Sequence, residues 1–291
     1  MTRGFLVVDK PGGMTSHDVV ARVRRAAGVK RVGHAGTLDP MATGVLVVGI
    51  GAVTRLIRFV QDQPKEYVAT AQFGVATDTL DAEGGILDRV EMSFTTEEME
   101  AVARRFTGDI MQVPPMVSAL KHEGRRLYDL AREGKTVERE PRPVTVHELE
   151  ILAVGSGPYP EVEFRVVCSS GTYVRTLADD MGRALGGHAH LTALRRTRVG
   201  SLGLDRAVTV DGLDAWKDHL ISPADALADL PGITVEKETA WAVRQGAPLL
   251  GDAARAGPAD EPYRVLDEAG ELLAIYERRG ERAAPVVVLP S

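Results

Sequence analysis

One carboxylate stands out in residues 33–44, which read GHAGTLDPMATG and hold Asp39 among glycines, a histidine and a proline. The apolar run VLVVGI follows directly at 45–50 and predicts a buried strand. Asp39 should therefore lie on a loop anchored by a rigid element, where reactive side chains are often placed. We therefore expect the chemistry of the protein at this loop.

The elements that must position this loop alternate between strands and helices along the chain. Periodicity predicts strands at 5–8, 45–50, 67–73, 144–154 and 162–168, and helices over 16–27, 53–60, 95–108 and 173–185. Thr15 or Ser16 is expected to cap the first helix, and Thr95 with Glu98 has capping-box spacing. The sequence thus predicts interspersed helices and strands.

A polar stretch at 211–231, marked by proline and glycine, separates this body from a tail of short β-like runs. Runs at 263–266 and 272–276 predict a hairpin joined through 267–270. We therefore expect a domain over 1–230, linker included, and a small β-rich domain over 231–291.

Length and composition restrict the class of protein. The chain has 291 residues, of which 44% are hydrophobic, enough for one large domain and a small one. Its N-terminal apolar run is too short for a signal peptide, and no later run could span a bilayer, so we expect a cytoplasmic protein without membrane contact. Cys168 is the only cysteine, which excludes an internal disulfide and argues against a thiolate zinc site. His188 and His190 lack further ligands, and we expect no metal.

The formal charge of −6 argues mildly against a nucleic-acid partner, but the basic residues are clustered. Three groups lie beside glycine-rich or otherwise unusual loops, and we expect them to contact phosphates. They are Arg22, Arg24, Arg25, Lys30 and Arg31; Lys121, Arg125, Arg126, Arg132, Lys135, Arg139 and Arg142; and Arg195, Arg196 and Arg198.

Other catalytic motifs fail on inspection. The run 134–136 ends like a phosphate-binding loop, but the required first glycine is Asp129. Gly49 and Gly51 partly match a dinucleotide fingerprint whose third glycine is Thr54. No serine lies in a Gly-x-Ser-x-Gly elbow. These classes of enzyme therefore lack their signatures.

The Asp39 loop closely resembles the catalytic loop of the TruB-type tRNA pseudouridine synthases. Further blocks of that family are matched in the same order, from about residue 5 to residue 200. They are DKPGGMTS at 9–16, KEY at 65–67, VPPMVSALK at 113–121 and SGTYVR at 170–175.

The resemblance implies isomerisation of uridine to pseudouridine at position 55 in the T-loop of tRNA, by base flipping and without a cofactor. Asp39 would be the nucleophile, attacking either the sugar C1′ or the pyrimidine C6, and the sequence leaves both routes open. The implied partner is the T-arm of tRNA, with no guide RNA, and we expect a monomer. The alternatives are a non-catalytic RNA binder or tRNA-folding chaperone of the same fold, and a guide-RNA-dependent synthase of the same superfamily.

The resemblance also assigns the remaining site residues. Arg175 would pair with Asp39 and keep it ionised, and Tyr67 would stack on the target base and assist proton removal from C5. The implied substrate-binding residues are His34, which would enter the RNA loop, Tyr173 and Leu194, which would line the uracil pocket, and Lys10, in a block beneath it. The implied fold is α+β, a mixed-sheet catalytic domain followed by a small PUA-like domain.

Overall fold

The computed structural model describes residues 3–117, 121–122, 124–126, 133, 135 and 137–290. The chain divides into two compact units, one formed by Met1–Gln63 with Arg198–Ser291 and the other by Pro64–Thr197. Within the described part, none of the helices has the length and apolar character needed to cross a bilayer.

Strands and helices alternate, as the periodicity predicts. The strands are β1 Gly4–Lys10, β2 Val32–His34, β3 Thr43–Ile50, β4 Lys65–Phe73, β5 Val75–Thr77, β6 Ile86–Arg89, β7 Gly108–Gln112, β8 Lys121–His122, β9 Arg125–Arg126, β10 Arg142–Val154, β11 Glu161–Cys168, β12 Ala189–Val199, β13 Leu202–Gly203, β14 Ala207–Thr209, β15 Gly232–Thr234, β16 Leu249–Leu250, β17 Pro262–Leu266, β18 Leu272–Arg279 and β19 Arg282–Val288. The α-helices are α1 Ser16–Ala27, α2 Ile57–Gln61, α3 Thr96–Arg105, α4 Val174–Ala184, α5 Pro223–Ala226, α6 Lys237–Arg244 and α7 Gly251–Arg255. Short 3₁₀ helices span Gly51–Leu56, Leu204–Arg206 and Leu213–His219.

The first unit is built around the apolar strands β1 and β3, which pair antiparallel. β14 lies parallel on the other side of β1, and β2 pairs antiparallel with β3. Helix α1 begins with a capping box, because the Thr15 hydroxyl accepts from the Asp18 amide (3.1 Å) and the Asp18 carboxylate accepts from the Thr15 amide (2.9 Å). The sequence therefore predicted this helix and its cap correctly.

The C-terminal part of this unit forms a separate five-stranded sheet in the order β15-β17-β18-β19-β16. The expected hairpin is present as β17 and β18, and its turn is fixed by the Asp267 carboxylate, which accepts from the amides of Ala269 (3.1 Å) and Glu271 (2.9 Å). This sheet shares a hydrophobic core with β1 and β3, in which Ile275 and Val287 pack with Phe5 and Val47. The domain boundary at 230 stays a prediction.

In the second unit, β4, β11, β10 and β7 are antiparallel neighbours, and β12 lies on the other side of β4. Helix α3 contacts both β10 and α4, so helices cover this sheet. Thr95 and Glu98 form the expected capping box. Together these sheets and helices give the mixed α+β architecture that the sequence indicated.

Two predicted helices differ from the structure. The first half of the segment at 53–60 belongs to a 3₁₀ helix, Gly51–Leu56, and the second half belongs to α2. Helix α3 ends at Arg105 and not at Gly108, because Gly108 begins β7 with a φ of 101°. The first prediction thus had the wrong helix type over half of its length, and the second had the right type but placed the end too late.

Candidate active site

The Asp39 loop joins β2 to β3 and is held from several sides. The Ser16 hydroxyl, at the start of α1, accepts from the Leu38 amide (2.9 Å) and donates to the Leu38 carbonyl (3.2 Å). The Ala42 amide donates to the Asp39 carbonyl (3.1 Å), which closes a turn. Leu38 and Ala42 are buried while Asp39 is half-buried, so the carboxylate is carried on a fixed backbone with partial access to solvent.

Lys10 supports this loop from the end of β1. Its side chain is fully buried, and its ammonium donates to the carbonyls of Pro11 (2.9 Å), Met14 (2.7 Å) and Pro40 (3.1 Å). The Gly13 amide donates to the same Pro40 carbonyl (2.9 Å). Lys10 therefore holds the backbone of the loop, and its expected place among the substrate-binding residues stays a prediction.

Glycine and histidine mark the ends of the loop. Gly36 and Gly44 have φ values of 89° and 98°, in the left-handed region that favours glycine, which explains the composition of the motif. His34 closes β2 opposite Val48, is half-buried, and meets the His17 ring edge-to-face with 5.5 Å between centroids. The imidazole thus sits at the base of the loop on a strand.

In the other unit, Tyr67 and Leu194 lie on neighbouring strands of the sheet. Tyr67 is in β4 opposite Val166 of β11 and is half-buried. Leu194 is in β12 and is buried. Both strands are continuous here, so these two side chains have a rigid support.

Tyr173 and Arg175 begin helix α4. Tyr173 is the N-terminal cap, with an extended backbone and no capping hydrogen bond from its own side chain. Its amide donates to the Gln112 side-chain oxygen (2.7 Å), and its carbonyl accepts from the Gln112 side-chain nitrogen (3.0 Å). Gln112, at the end of β7, was not singled out from the sequence, where nothing local signals this contact.

Arg175 is almost fully buried and its guanidinium binds three oxygens. Nη1 donates to the Thr79 carbonyl (3.0 Å) and to the Asp81 carboxylate (2.9 Å), and Nη2 donates to the Val117 carbonyl (2.8 Å). Asp81 itself accepts from the Thr79 hydroxyl (2.5 Å) and the Glu83 amide (3.1 Å). The sequence placed Asp81 only in a turn-rich loop and missed it as an ion-pair partner; pairing of Arg175 with Asp39 stays a prediction.

Strand β12 fixes the loop that carries Asp81. Leu191 donates its amide to the Leu80 carbonyl (3.0 Å) and accepts from the Ala82 amide (2.9 Å). Leu80 has a φ of 61°, a left-handed conformation that costs a branched residue roughly 1–2 kcal/mol. The contacts with β12 hold Asp81 in place despite that cost.

Other nucleophiles and ligands are poorly placed for chemistry. Burial raises the pKa of the Cys168 thiol to about 11, so the thiol stays protonated at neutral pH. Among the described residues, no group of three or more histidine, cysteine or acidic side chains is arranged to hold a metal ion.

The basic clusters differ in accessibility. Those of the first group, Arg22, Arg24, Arg25, Lys30 and Arg31, are all exposed. Arg196 is fully buried, so the expectation that it contacts phosphate is wrong, whereas Arg198, two residues further along β12, is exposed. In the second group, Arg132 and the side chains of Lys121 and Arg126 lie outside the described residues, as do residues 118–120 of the block at 113–121.

Family models match almost the whole chain. The N-terminal domain of the TruB family pseudouridylate synthases matches residues 24–174, the C-terminal domain of tRNA pseudouridylate synthase B matches 175–229, and the C-terminal domain of tRNA pseudouridine synthase II matches 230–290. These matches include the loop of Asp39, helix α4 and the C-terminal sheet.

Curated relatives agree with the family models. A tRNA pseudouridine synthase B of Mycobacteroides abscessus is 47% identical over 290 residues, covering 98% of this chain and 96% of the relative. One from Symbiobacterium thermophilum is 52% identical over 244 residues, covering 84% and 82%.

A solved H/ACA RNP bound to a substrate RNA containing 2'-deoxyuridine matches with a TM-score of 0.74 and 25% identity, over 99% of this chain and 85% of that one. A Cbf5-Nop10-Gar1 complex gives the same TM-score, identity and coverage. The family models and the curated relatives agree with the loop that carries Asp39. The chain belongs to the TruB family of pseudouridylate synthases.

Proposed function

We propose that this protein converts uridine to pseudouridine at position 55 in the T-loop of tRNA, without a cofactor. The observation that carries the proposal is Asp39, a half-buried carboxylate on a loop pinned by Ser16 and Lys10, in a chain of the TruB family. The reaction breaks the N1–C1′ bond and forms a C5–C1′ bond, while the proton leaves C5 and N1 gains one. Atoms and charge balance without an oxidant or a co-substrate.

Asp39 acts as the nucleophile in this proposal. Attack at C1′ would displace the uracil, and C5 would then attack C1′ and release Asp39; attack at C6 would give an adduct whose N1–C1′ bond breaks, after which the base rotates, C5 joins C1′ and the bond between Asp39 and C6 breaks. Either route needs an ionised carboxylate and a base turned out of the RNA stack, which costs a few kcal/mol. A rigid loop lowers the entropy cost of bringing the carboxylate to the sugar or the base.

The other site residues bind the uracil base and stabilise the charge of Asp39 in this proposal. Tyr67 and Tyr173 offer flat faces for stacking, and the Tyr67 hydroxyl suits proton transfer from C5. Leu194 would provide an apolar wall, and His34 would occupy the space that the flipped nucleotide leaves. Arg175 would stabilise the ionised form of Asp39.

Exposed basic residues near the start of the chain suit the phosphates of a folded tRNA. The bacterial relatives named above favour a stand-alone enzyme, and we propose that the protein works as a monomer in the cytoplasm, without a guide RNA. The likeness to an H/ACA protein supports the guide-dependent reading as the second candidate.

The test is pseudouridine formation in an unmodified tRNA transcript by the wild type and by Asp39→Asn, with no metal, cofactor or guide added. Product at position 55 from the wild type alone, with equal tRNA affinity in both proteins, is the expected result. Binding without product in either protein would favour the chaperone reading. Product that appears only after a guide RNA is added would favour the guide-dependent enzyme.

A further inference from the structure

Gln112 connects two segments that are far apart in the sequence. It is the last residue of β7 and only 2% exposed, and its side-chain amide grips the backbone of Tyr173, 61 residues away. Oε1 accepts from the Tyr173 amide at 2.7 Å, and Nε2 donates to the Tyr173 carbonyl at 3.0 Å. Both halves of the carboxamide are therefore used on one residue.

The hydrogen bonds between Gln112 and Tyr173 take the place of an N-terminal capping box at helix α4. In a capping box, the third helical residue returns its side chain to the amide of the capping residue. In α4 that third residue is Thr176, and the Tyr173 amide is instead satisfied by Gln112. The Tyr173 carbonyl also accepts the first helical bond, from the Leu177 amide at 3.0 Å. Gln112 thus defines where α4 begins.

A second link lies close to the first. Arg175, in the first turn of α4, donates to the carbonyl of Val117, which lies five residues beyond Gln112. The start of α4 is therefore tied twice to the chain that leaves β7, once through Tyr173 and once through Arg175. Loss of either contact would shift the side chains of Tyr173 and Arg175. The proposed function assigns binding of the uracil base to Tyr173 and stabilisation of ionised Asp39 to Arg175.

We propose that Gln112 is a positioning residue for the isomerisation, acting through Tyr173 and the first turn of α4; this rests on the proposed function. Its two-point grip fixes the backbone from which the Tyr173 ring projects, and it sets the register of Arg175 in the same turn. An error of about 1 Å in such a site can cost about 100-fold in rate.

Two substitutions of Gln112 distinguish the contributions of its two hydrogen bonds to Tyr173. Gln112→Met keeps the length and removes both hydrogen bonds. Gln112→Glu keeps an acceptor for the Tyr173 amide, but when ionised it has no donor for the Tyr173 carbonyl. The control is Asp109→Asn, on the same strand but exposed, where the carboxylate accepts from the Thr145 hydroxyl (2.7 Å).

The experiment measures three quantities for each variant: the single-turnover rate on saturating unmodified tRNA, the tRNA dissociation constant, and amide hydrogen exchange in peptides covering 169–177. For Gln112→Met we expect a rate about 10- to 100-fold lower, affinity within about threefold, and faster exchange at the start of α4. Gln112→Glu should lose less than Gln112→Met, and Asp109→Asn should behave as wild type.

The outcomes distinguish this inference from the function on which it rests. A normal rate in Gln112→Met, with product from the wild type, would overturn the role of Gln112 and leave the function intact. A lower rate in Gln112→Met with unchanged amide exchange at the start of α4 would also overturn it. Absence of product from the wild type would remove the proposed function, and the inference with it.

Discussion

Arg175 and Asp81 form an ion pair inside the second unit, with 2.9 Å between Nη1 and Oδ2 and both side chains 5% exposed. Removal of one partner from such a pair leaves an uncompensated charge away from water, which costs about 3–5 kcal/mol. Asp81 also accepts from Thr79 and Glu83, so its geometry is fixed on the side away from the arginine. The pair therefore orients the guanidinium at the first turn of α4.

Replacement of Arg175 by lysine tests whether the planar guanidinium group is needed. In Arg175→Lys a single ammonium cannot reach the Thr79 carbonyl, Asp81 and the Val117 carbonyl with the planar geometry that Arg175 uses. We expect the single-turnover rate of pseudouridine formation to fall about 10- to 100-fold, and the free energy of unfolding to fall by about 1–3 kcal/mol from lost hydrogen bonds. Rapid-quench assays and urea unfolding measure the two effects.

Arg183→Lys is the matched control, because Arg183 lies on the same helix, pairs with Asp179 at 2.7 Å and is 61% exposed. It should leave the rate unchanged. A folded Arg175→Lys variant that reacts at the wild-type rate would count against any catalytic part for the guanidinium.

Lys10→Met should loosen the Asp39 loop. The ammonium donates to three backbone carbonyls from a fully buried position, and hydrogen bonds from a charged donor contribute about 1.5–3 kcal/mol each. We expect a lower free energy of unfolding and a lower single-turnover rate, measured by denaturant titration and rapid quench. Lys30→Met, the same change at an exposed position of the same unit, should not alter the unfolding free energy; equal losses in both variants would contradict the support role.

The sequence predicted those features that depend on neighbouring residues. Helix α1 and its Thr15 cap were recovered because capping and apolar spacing act within a few residues. The loop of Asp39 was recognised because glycines with positive φ and a following apolar strand leave a local pattern. The hairpin of β17 and β18 has an equally local turn at Asp267.

Long-range contacts leave no such pattern. Asp81 meets Arg175 across 94 residues and Gln112 meets Tyr173 across 61, so only the fold makes these residues partners. Lys10 could be placed in a motif, but the direction of its ammonium depends on carbonyls supplied by the loop above it. Arg196 belonged to a basic run in the sequence, and its burial depends on packing that the sequence does not show.

Substitutions at two arginines should distinguish a role in phosphate contact from a role in stability. Arg31 is exposed at the entry to β2, and Arg31→Gln should weaken tRNA binding and reduce the slope of log affinity against log salt by about 1. Arg196→Gln should instead lower the free energy of unfolding, because the side chain is fully buried. Salt-dependent filter binding and urea unfolding give the two readouts. An unchanged salt slope in Arg31→Gln would remove that residue from the RNA interface.

The carboxyl group of Asp180, on α4, makes the free energy of unfolding depend on pH. Burial, and then the charge of Asp179, raise the pKa of the Asp180 carboxyl from 3.8 to about 6, against an opposing effect of Arg183. The folded protein therefore holds this proton more tightly than the unfolded chain. The resulting stability is complete below pH 3.8 and is lost as the pH rises through about 6.

Asp180→Asn cannot ionise, so it should melt at a higher temperature than the wild type at pH 7.5 and show little difference near pH 4. The gain should be at most about 1 kcal/mol, because the group keeps partial contact with water that screens its charge. Thermal melts across that range measure it, and Glu91→Gln, at an exposed position of the same unit, tests whether loss of any one carboxylate has the same effect. A difference between Asp180→Asn and wild type that stays constant with pH would show that the carboxyl does not titrate in this window.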